Sequence, residues 1–151
     1  MRIEIPNFCL VALIGATSSG KSTFAAKHFK PTEVLSSDYF RGLISDDESD
    51  QSCTTEAFDA LYYVARKRLD AMKLTVIDAT NVQEAARKQV IALAKEENCH
   101  PVAIVFHTPE AVCKERNAVD LIGNCAGGAV AAADIGRSRA EDRALCALCP
   151  A

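Results

Sequence analysis

The chain has 151 residues, of which 49% are hydrophobic and 25% charged, as is typical of a single globular domain. Its formal net charge of −3 excludes a broad basic surface that could hold long nucleic acid by counterion release. No signal-peptide core or membrane-length apolar run is present, and the seven cysteines form no disulfide framework. We therefore expect a cytoplasmic protein with free thiols and no membrane contact.

The first strong pattern is an apolar run of strand length, CLVALI, followed by GATSSGKS. This is the phosphate-binding loop G-x-x-x-x-G-K-S/T, in which two glycines let backbone N–H groups form an anion nest. Lys21 would supply a charge for the β- and γ-phosphates, and the Ser22 hydroxyl is suited to ligate Mg²⁺. A Gly/Ser-rich connecting turn is the alternative. The predicted nucleotide-binding residues are Gly15, Ala16, Thr17, Ser18, Ser19, Gly20, Lys21, Ser22 and Thr23.

Strand and helix patterns alternate along the chain, which predicts an α/β fold with a mostly parallel sheet. After the loop and its helix, strands are predicted at 33–36, 74–77 and 102–106. Helices are predicted to begin near Thr54, at Asn81 in a capping box with Glu84, and at Thr108 and Pro109. The residues predicted on the buried face of the Thr54 helix are Phe58, Leu61, Tyr62, Ala65, Leu69 and Met72.

Candidate chemical groups follow the predicted strands, and in a doubly wound sheet ligands bind beyond the carboxyl ends of the strands. Asp38 and Arg41 share a face if a helical turn begins there. A carboxylate can accept a proton from a hydroxyl and an arginine can hold an anion, although a surface ion pair has the same spacing. Asp78 ends an apolar strand, where an aspartate either orders Mg²⁺ or caps the next loop. Arg116 is either a lid arginine that reaches the γ-phosphate or a surface arginine.

The composition changes at about Asn117. The residues that follow are rich in alanine and glycine, contain no lysine and no aromatic residue, and show no clear strand. We therefore divide the chain into a P-loop domain over residues 1–117 and an atypical tail over residues 118–151. The tail is interpreted as disordered or as the product of a shifted reading frame.

Four segments of the first part resemble the kinase module of bacterial polynucleotide kinase-phosphatase, a family of RNA end-healing enzymes. In order, they are GATSSGKSTFAAKHF, VLSSDYFRGLISDDESDQ, LTVIDATNVQEAARK and PVAIVFHTPEAVCKERN. The resemblance implies a P-loop phosphotransferase that uses Mg²⁺ and moves the γ-phosphate of ATP or another NTP to the 5′-hydroxyl end of RNA or DNA. A homodimer is a further expectation.

The resemblance also implies roles for individual residues. Lys21 and Ser22 would hold the phosphates and the metal, while Asp38 would be the general base for the 5′-hydroxyl. Arg41 would bind the phosphate of the neighbouring nucleotide, and Gln51 would contact the acceptor nucleotide. Arg116 falls on the first arginine of the family's lid.

The resemblance ends where the tail begins. The family's second lid arginine is replaced by Asp120, and nothing downstream resembles the lid or the last edge strand. The expected fold is thus a P-loop NTPase-type parallel sheet flanked by helices, without that strand and lid. The family's phosphatase and ligase modules also have no counterpart in these residues. Two alternatives stay open: a small-molecule kinase acting on a sugar, nucleoside or drug, and an inactive nucleotide-binding remnant.

Overall fold

The computed structural model describes residues 2–120 and 134–138, with side-chain detail for residues 3–118. Within these residues no helix has the length and apolarity needed to cross a membrane. The strands are β1 (Arg2–Pro6), β2 (Cys9–Ile14), β3 (Val34–Ser36), β4 (Thr75–Asp78), β5 (His100–Val105) and β6 (Asp134–Ser138). The α-helices are α1 (Lys21–His28), α2 (Ser37–Ser45), α3 (Thr54–Asp70), α4 (Glu84–Glu96) and α5 (Glu110–Asp120), and a 3-10 turn spans Pro31–Glu33.

The main sheet is parallel, with four strands in the order β3-β4-β2-β5, which confirms the predicted α/β class. All six residues of β2 are buried because strands flank it on both sides and layers cover both of its faces. This explains why its sequence is an unbroken apolar run. The register places Asp78 opposite both Leu13 and Ser36. The carboxyl ends of three strands therefore meet around Asp78.

The two faces of the sheet pack against different elements because successive side chains of a strand point in opposite directions. Leu10 and Ala12 of β2 belong to the core formed with α3 and α4. Val11 and Leu13 belong to the core formed with α1 and β1, where Ile5 is buried. The helices thus flank the sheet on both sides, as in other doubly wound folds.

The buried stripe of α3 differs from the predicted one. Its fully covered residues recur every four positions, while Phe58 and Tyr62 are only half-buried at its margin. Met72 was wrongly predicted to be buried: it lies beyond the helix end, has a φ of 55° and is 65% exposed. The buried residues of the stripe are Ala57, Leu61, Ala65 and Leu69.

The tail contains a strand that the sequence did not reveal. Residues of β6 pair in parallel with β1, from Arg2 opposite Asp134 to Pro6 opposite Ser138. The expectation of no strand after Asn117 is therefore wrong for β6, because pairing with a distant strand leaves no local pattern. Residues 121–133 and 139–151 lie outside the described residues, and with them the interpretation of the rest of the tail. In the described part of the chain, β5 is an edge of the main sheet.

Candidate functional site

The phosphate-binding loop joins β2 to α1 at the carboxyl edge of the sheet. Two of its residues have a left-handed backbone, Ser18 with a φ of 58° and Gly20 with a φ of 98°. Gly20 is the N-cap of α1, so the loop ends at the helix N-terminus, where the N–H groups of the first turn have no helical partner. The loop is thus shaped to bind an anion. Ala16, Thr17, Ser22 and Thr23 are exposed, Ser18 and Gly20 are half-buried, and Gly15, Ser19 and Lys21 are buried.

Gly15 is required by its surroundings. A Cβ atom at this position would lie 2.7 Å from Ser19 Oγ, 3.0 Å from Phe106 Cβ and 3.2 Å from the Phe106 carbonyl oxygen. Its N–H donates to the carbonyl oxygen of Thr80 over 3.0 Å. The start of the loop is therefore enclosed between the chain after β4 and the chain after β5.

Lys21 is only 7% exposed and folds back over the loop. Its Nζ donates to the carbonyl oxygen of Ala16 at 2.7 Å and to Ser19 Oγ at 3.5 Å. Burial lowers the pKa of this ammonium group, and the nearby carboxylates of Asp78 and Asp38 partly oppose the effect. A phosphate at the loop would give the cation the anionic partner that its neutral hydrogen-bond acceptors do not provide.

Asp78 lies at the end of β4 and is 5% exposed. Burial raises the pKa of its carboxyl, while a hydrogen bond with the Ser22 side chain and the charge of Lys21 act in the opposite direction. The pair therefore presents a carboxylate and a hydroxyl oxygen, the hard ligands that Mg²⁺ prefers together with substrate phosphates. No cluster of three or more His, Cys, Asp or Glu suited to a metal occurs in the described part of the chain. The residues fit an ion that is completed by phosphate and water, but not an all-protein metal site.

Asp38 and Arg41 lie in the first two turns of α2. This helix begins directly after Ser36, which pairs with Asp78, so its first turn lies at the same edge of the sheet as the phosphate-binding loop. The charge of Asp38 acts to raise the pKa values of both Lys21 and Asp78, as expected for carboxylates and a cation gathered at one edge of the sheet. The carboxylate of Asp38 is 59% exposed and can reach a molecule in solution.

Arg41 is held from two sides. Its terminal nitrogen forms an ion pair with Asp38, and its Nε donates to the carbonyl oxygen of Glu48 at 2.9 Å. The arginine side chain is only 10% exposed, unlike that of a surface ion pair. Ser37 Oγ lies 3.3 Å from the same carboxylate oxygen of Asp38. The carboxylate of Asp38 and the guanidinium of Arg41 are therefore held together at the start of α2.

The remaining predicted site residues, Gln51 and Arg116, are less tightly placed. Gln51 is exposed in the loop before α3, and its side-chain amide contacts the Ser49 carbonyl and the Thr54 hydroxyl. Arg116 is half-buried on α5, one turn after Cys113, whose thiol is close enough to Lys21 to affect its pKa. The side chain of Arg116 makes no hydrogen bond or ion pair with another residue of the described part.

Two residues that were predicted as helix caps instead support the loop. Asn81 is 2% exposed, and its Nδ2 donates to the carbonyl oxygens of Leu13 at 2.9 Å and Ala79 at 3.3 Å. The capping box was wrong, since the N-cap of α4 is Gln83. Thr108 Oγ1 donates to the carbonyl oxygen of Ser19 at 3.1 Å. Both polar residues closely follow strands, and this position is the one sequence signal that could have indicated their role at the loop.

The sequence model of an AAA domain matches residues 10–119, which is more than two thirds of the chain. The chain belongs to the AAA domain family. No curated protein matches its sequence. Within this family, the described part of the chain has a P-loop kinase-like fold.

Several solved structures share the fold of this AAA domain protein. One is reported as the Pnkp1/Rnl/Hen1 RNA repair complex: the TM-score is 0.67 at 22% identity, over 84% of this chain and 41% of the other. A Chloroflexus aurantiacus protein gives a TM-score of 0.64 at 17% identity, over 77% of this chain and 67% of the other. Mycobacterium tuberculosis APS kinase CysC, solved with AMPPNP and APS, gives 0.60 at 22% identity, over 78% and 73%. The chain thus spans about two fifths of the protein in the repair complex.

Proposed function

We propose that the chain is a polynucleotide 5′-hydroxyl kinase that transfers the γ-phosphate of ATP to the end of an RNA or DNA strand. The observation that carries the proposal is the position of Asp38, an exposed carboxylate at the start of α2, at the same edge of the sheet as the buried Lys21 and Asp78. The resemblance of four sequence segments to a polynucleotide kinase module supports the choice of acceptor. The fold shared with a protein of an RNA repair complex is consistent with it.

The transfer follows from these positions. The loop and Lys21 hold the β- and γ-phosphates, with Lys21 exchanging the Ala16 carbonyl for phosphate oxygens. Ser22 and Asp78 are the residues that would hold Mg²⁺, and the bound ion would supply neutralisation of charge on the phosphates. The 5′-oxygen of the acceptor attacks the γ-phosphorus, its proton passes to the Asp38 carboxylate, and the bond to the bridging oxygen breaks to release ADP. The products are the 5′-phosphorylated strand and ADP.

Two arginines are assigned to binding and charge stabilisation. Arg41 orients the acceptor by binding the phosphate next to its terminal nucleotide, for which the guanidinium offers the donors that its two present partners leave unused. Arg116 lies on α5, which follows the Thr108 contact with the loop, and it is assigned to the γ-phosphate, where charge develops during transfer. Gln51 is assigned to the acceptor strand from the loop that follows α2.

The test is transfer of label from γ-labelled ATP, with Mg²⁺, to 5′-hydroxyl RNA and DNA oligonucleotides. Asp38→Asn keeps the size of the side chain but removes the base, so we expect kcat to fall about 100-fold or more. The matched control is Asp59→Asn, an exposed aspartate on α3, which should retain activity. Equal activity of Asp38→Asn and the wild type would contradict the proposal.

A panel of small alcohols in the same assay tests the second candidate, a small-molecule kinase. This candidate is favoured by the fold shared with an APS kinase. Label on small acceptors alone would replace the first proposal with the second. ATP binding without any transfer would identify a nucleotide-binding remnant.

A further inference from the structure

The outer face of α2 carries two large apolar side chains in solvent. Tyr39 is 56% exposed and Leu43 is 61% exposed, and their four-residue spacing places them side by side on the helix. The one ring contact of Tyr39 within the described residues is edge-on, with Phe40, at a centroid distance of 5.9 Å. More than half of the surface of Tyr39 is therefore accessible to another ring.

The position of Tyr39 relates it to the candidate site. Its backbone N–H donates to Ser36 Oγ at 3.4 Å, the N-terminal cap of α2, so Tyr39 lies in the first turn of the helix. Side chains of a helix lean towards its N-terminus. In α2 this direction leads to the carboxyl edge of the sheet, where Asp38 adjoins Lys21 and Asp78. Tyr39 directly follows Asp38 in this turn, so its ring lies on the part of the helix surface next to the Asp38 carboxylate.

Charge around α2 limits how an acceptor strand can bind. The segment after the helix contains Asp46, Asp47, Glu48 and Asp50, and the only cation of α2 is Arg41. A strand held through many phosphates would be repelled by this cluster. Stacking of a base on an aromatic ring requires no positive charge and tolerates any base. The surface around α2 therefore favours a flexible single-stranded terminus that is bound by one phosphate contact and by stacking.

We propose that Tyr39, extended by Leu43, is the platform on which a nucleobase of the acceptor strand stacks while its 5′-hydroxyl lies at Asp38. The inference rests on the proposed polynucleotide kinase function and names a residue that selects single-stranded nucleic acid over small alcohols. Because the ring is not involved in proton transfer, it acts on acceptor binding and leaves kcat at saturation unchanged.

The experiment measures KM and kcat for 5′-hydroxyl oligonucleotides with wild type, Tyr39→Ala, Tyr39→Phe and Tyr63→Ala. We expect Tyr39→Ala to raise the KM for the oligonucleotide about 5- to 100-fold, with kcat and the KM for ATP unchanged. Tyr39→Phe keeps the ring and should behave like the wild type. Tyr63 is the matched control, since it is 64% exposed on α3.

Oligonucleotides with an abasic site at the first, second or third position then locate the stacked base. At that position, loss of the base raises the KM of the wild type but adds nothing in Tyr39→Ala, because the two changes remove the same contact. Equal KM values for Tyr39→Ala and the wild type, or effects that multiply at every position, would overturn the platform while leaving the kinase proposal intact.

Absence of transfer to any oligonucleotide would instead refute the kinase proposal. The platform is then tested directly by the fluorescence anisotropy of a 3′-labelled single strand. Weaker binding by Tyr39→Ala than by Tyr63→Ala would support it. Equal binding by both variants, or no binding by the wild type, would overturn it.

Discussion

The hydroxyl of Thr108 donates a hydrogen bond to the main-chain carbonyl of Ser19, 89 residues earlier in the chain and 3.1 Å away. A second link lies beside it, where the N–H of Phe106 donates to the Ile14 carbonyl at 2.8 Å. The segment after β5 thus supports the phosphate-binding loop from the side. We therefore expect the shape of the loop to depend on these contacts as well as on its own turns.

Removal of the Thr108 hydroxyl should weaken nucleotide binding. Thr108→Val keeps the shape of the side chain but leaves the Ser19 carbonyl without this donor. A net hydrogen bond is worth about 0.5–1.5 kcal/mol, so the Kd for ATP should rise about 2- to 12-fold by calorimetric titration. Thr108→Ser keeps the hydroxyl and should bind nearly as the wild type does. Unchanged affinity in Thr108→Val would show that the loop holds its shape without this bond.

Gly15→Ala should disturb the loop more severely. The Ser19 hydroxyl can rotate away from the added methyl group, but the Phe106 carbonyl, 3.2 Å from it, belongs to the backbone and cannot. We expect a loss of stability of about 1–3 kcal/mol, measured by denaturant unfolding, and weaker ATP binding. Gly42→Ala is the control, because its Cβ would meet mainly the flexible Glu48 side chain. Equal effects of the two substitutions would contradict this account.

Asp78 should destabilise the nucleotide-free chain in a pH-dependent manner. Burial raises the pKa of its carboxyl above the ordinary value of 3.8. At pH values between the ordinary pKa of the unfolded chain and the raised pKa of the folded chain, the folded chain binds more protons than the unfolded chain. The free energy of unfolding therefore falls as the pH rises through this range. The loss of stability caused by the Asp78 charge is complete above the raised pKa and absent below the ordinary pKa.

Asp78→Asn should therefore melt at a higher temperature than the wild type at pH 7 without nucleotide, and the difference should shrink as the pH is lowered towards 4. Thermal melts over this pH range provide the measurement, with Asp59→Asn as the control for removal of a charge. The same variant should lose phosphoryl transfer. A melting difference that is independent of pH would be evidence against burial as its cause.

A buried and an exposed residue of the predicted α3 pattern should respond differently to truncation. Leu61 is completely buried between α3 and the sheet, so Leu61→Ala should lower the free energy of unfolding by about 2–5 kcal/mol. Met72 is 65% exposed, and Met72→Ala should change the free energy of unfolding by less than about 0.5 kcal/mol. Urea denaturation measures both. A comparable loss in Met72→Ala would place that residue in the core after all.

Some features of the structure could be predicted from local sequence patterns. The unbroken apolar run of β2 and the glycine spacing after it predicted a strand and a phosphate-binding loop, because burial and backbone geometry restrict the residue types at each position. The three-residue spacing of Asp38 and Arg41 predicted that they could pair on a helix, and they do. These features extend over a few residues, so the sequence contains their whole signal.

The strand order was decided only by the tertiary structure, and with it the relation between distant polar groups. Pairing of Ser36 with Asp78 brings α2 to the edge of the sheet at which the loop lies, and Asn81 and Thr108 contact β2 and Ser19 across 68 and 89 residues. The pairing of β6 with β1 arises in the same way. By itself, the sequence determined the phosphate-binding loop and the alternation of strands and helices, since these follow from local periodicity. The fold alone decided which side chains meet at the loop, because such contacts depend on packing between segments and leave no mark on the spacing of residues within either one.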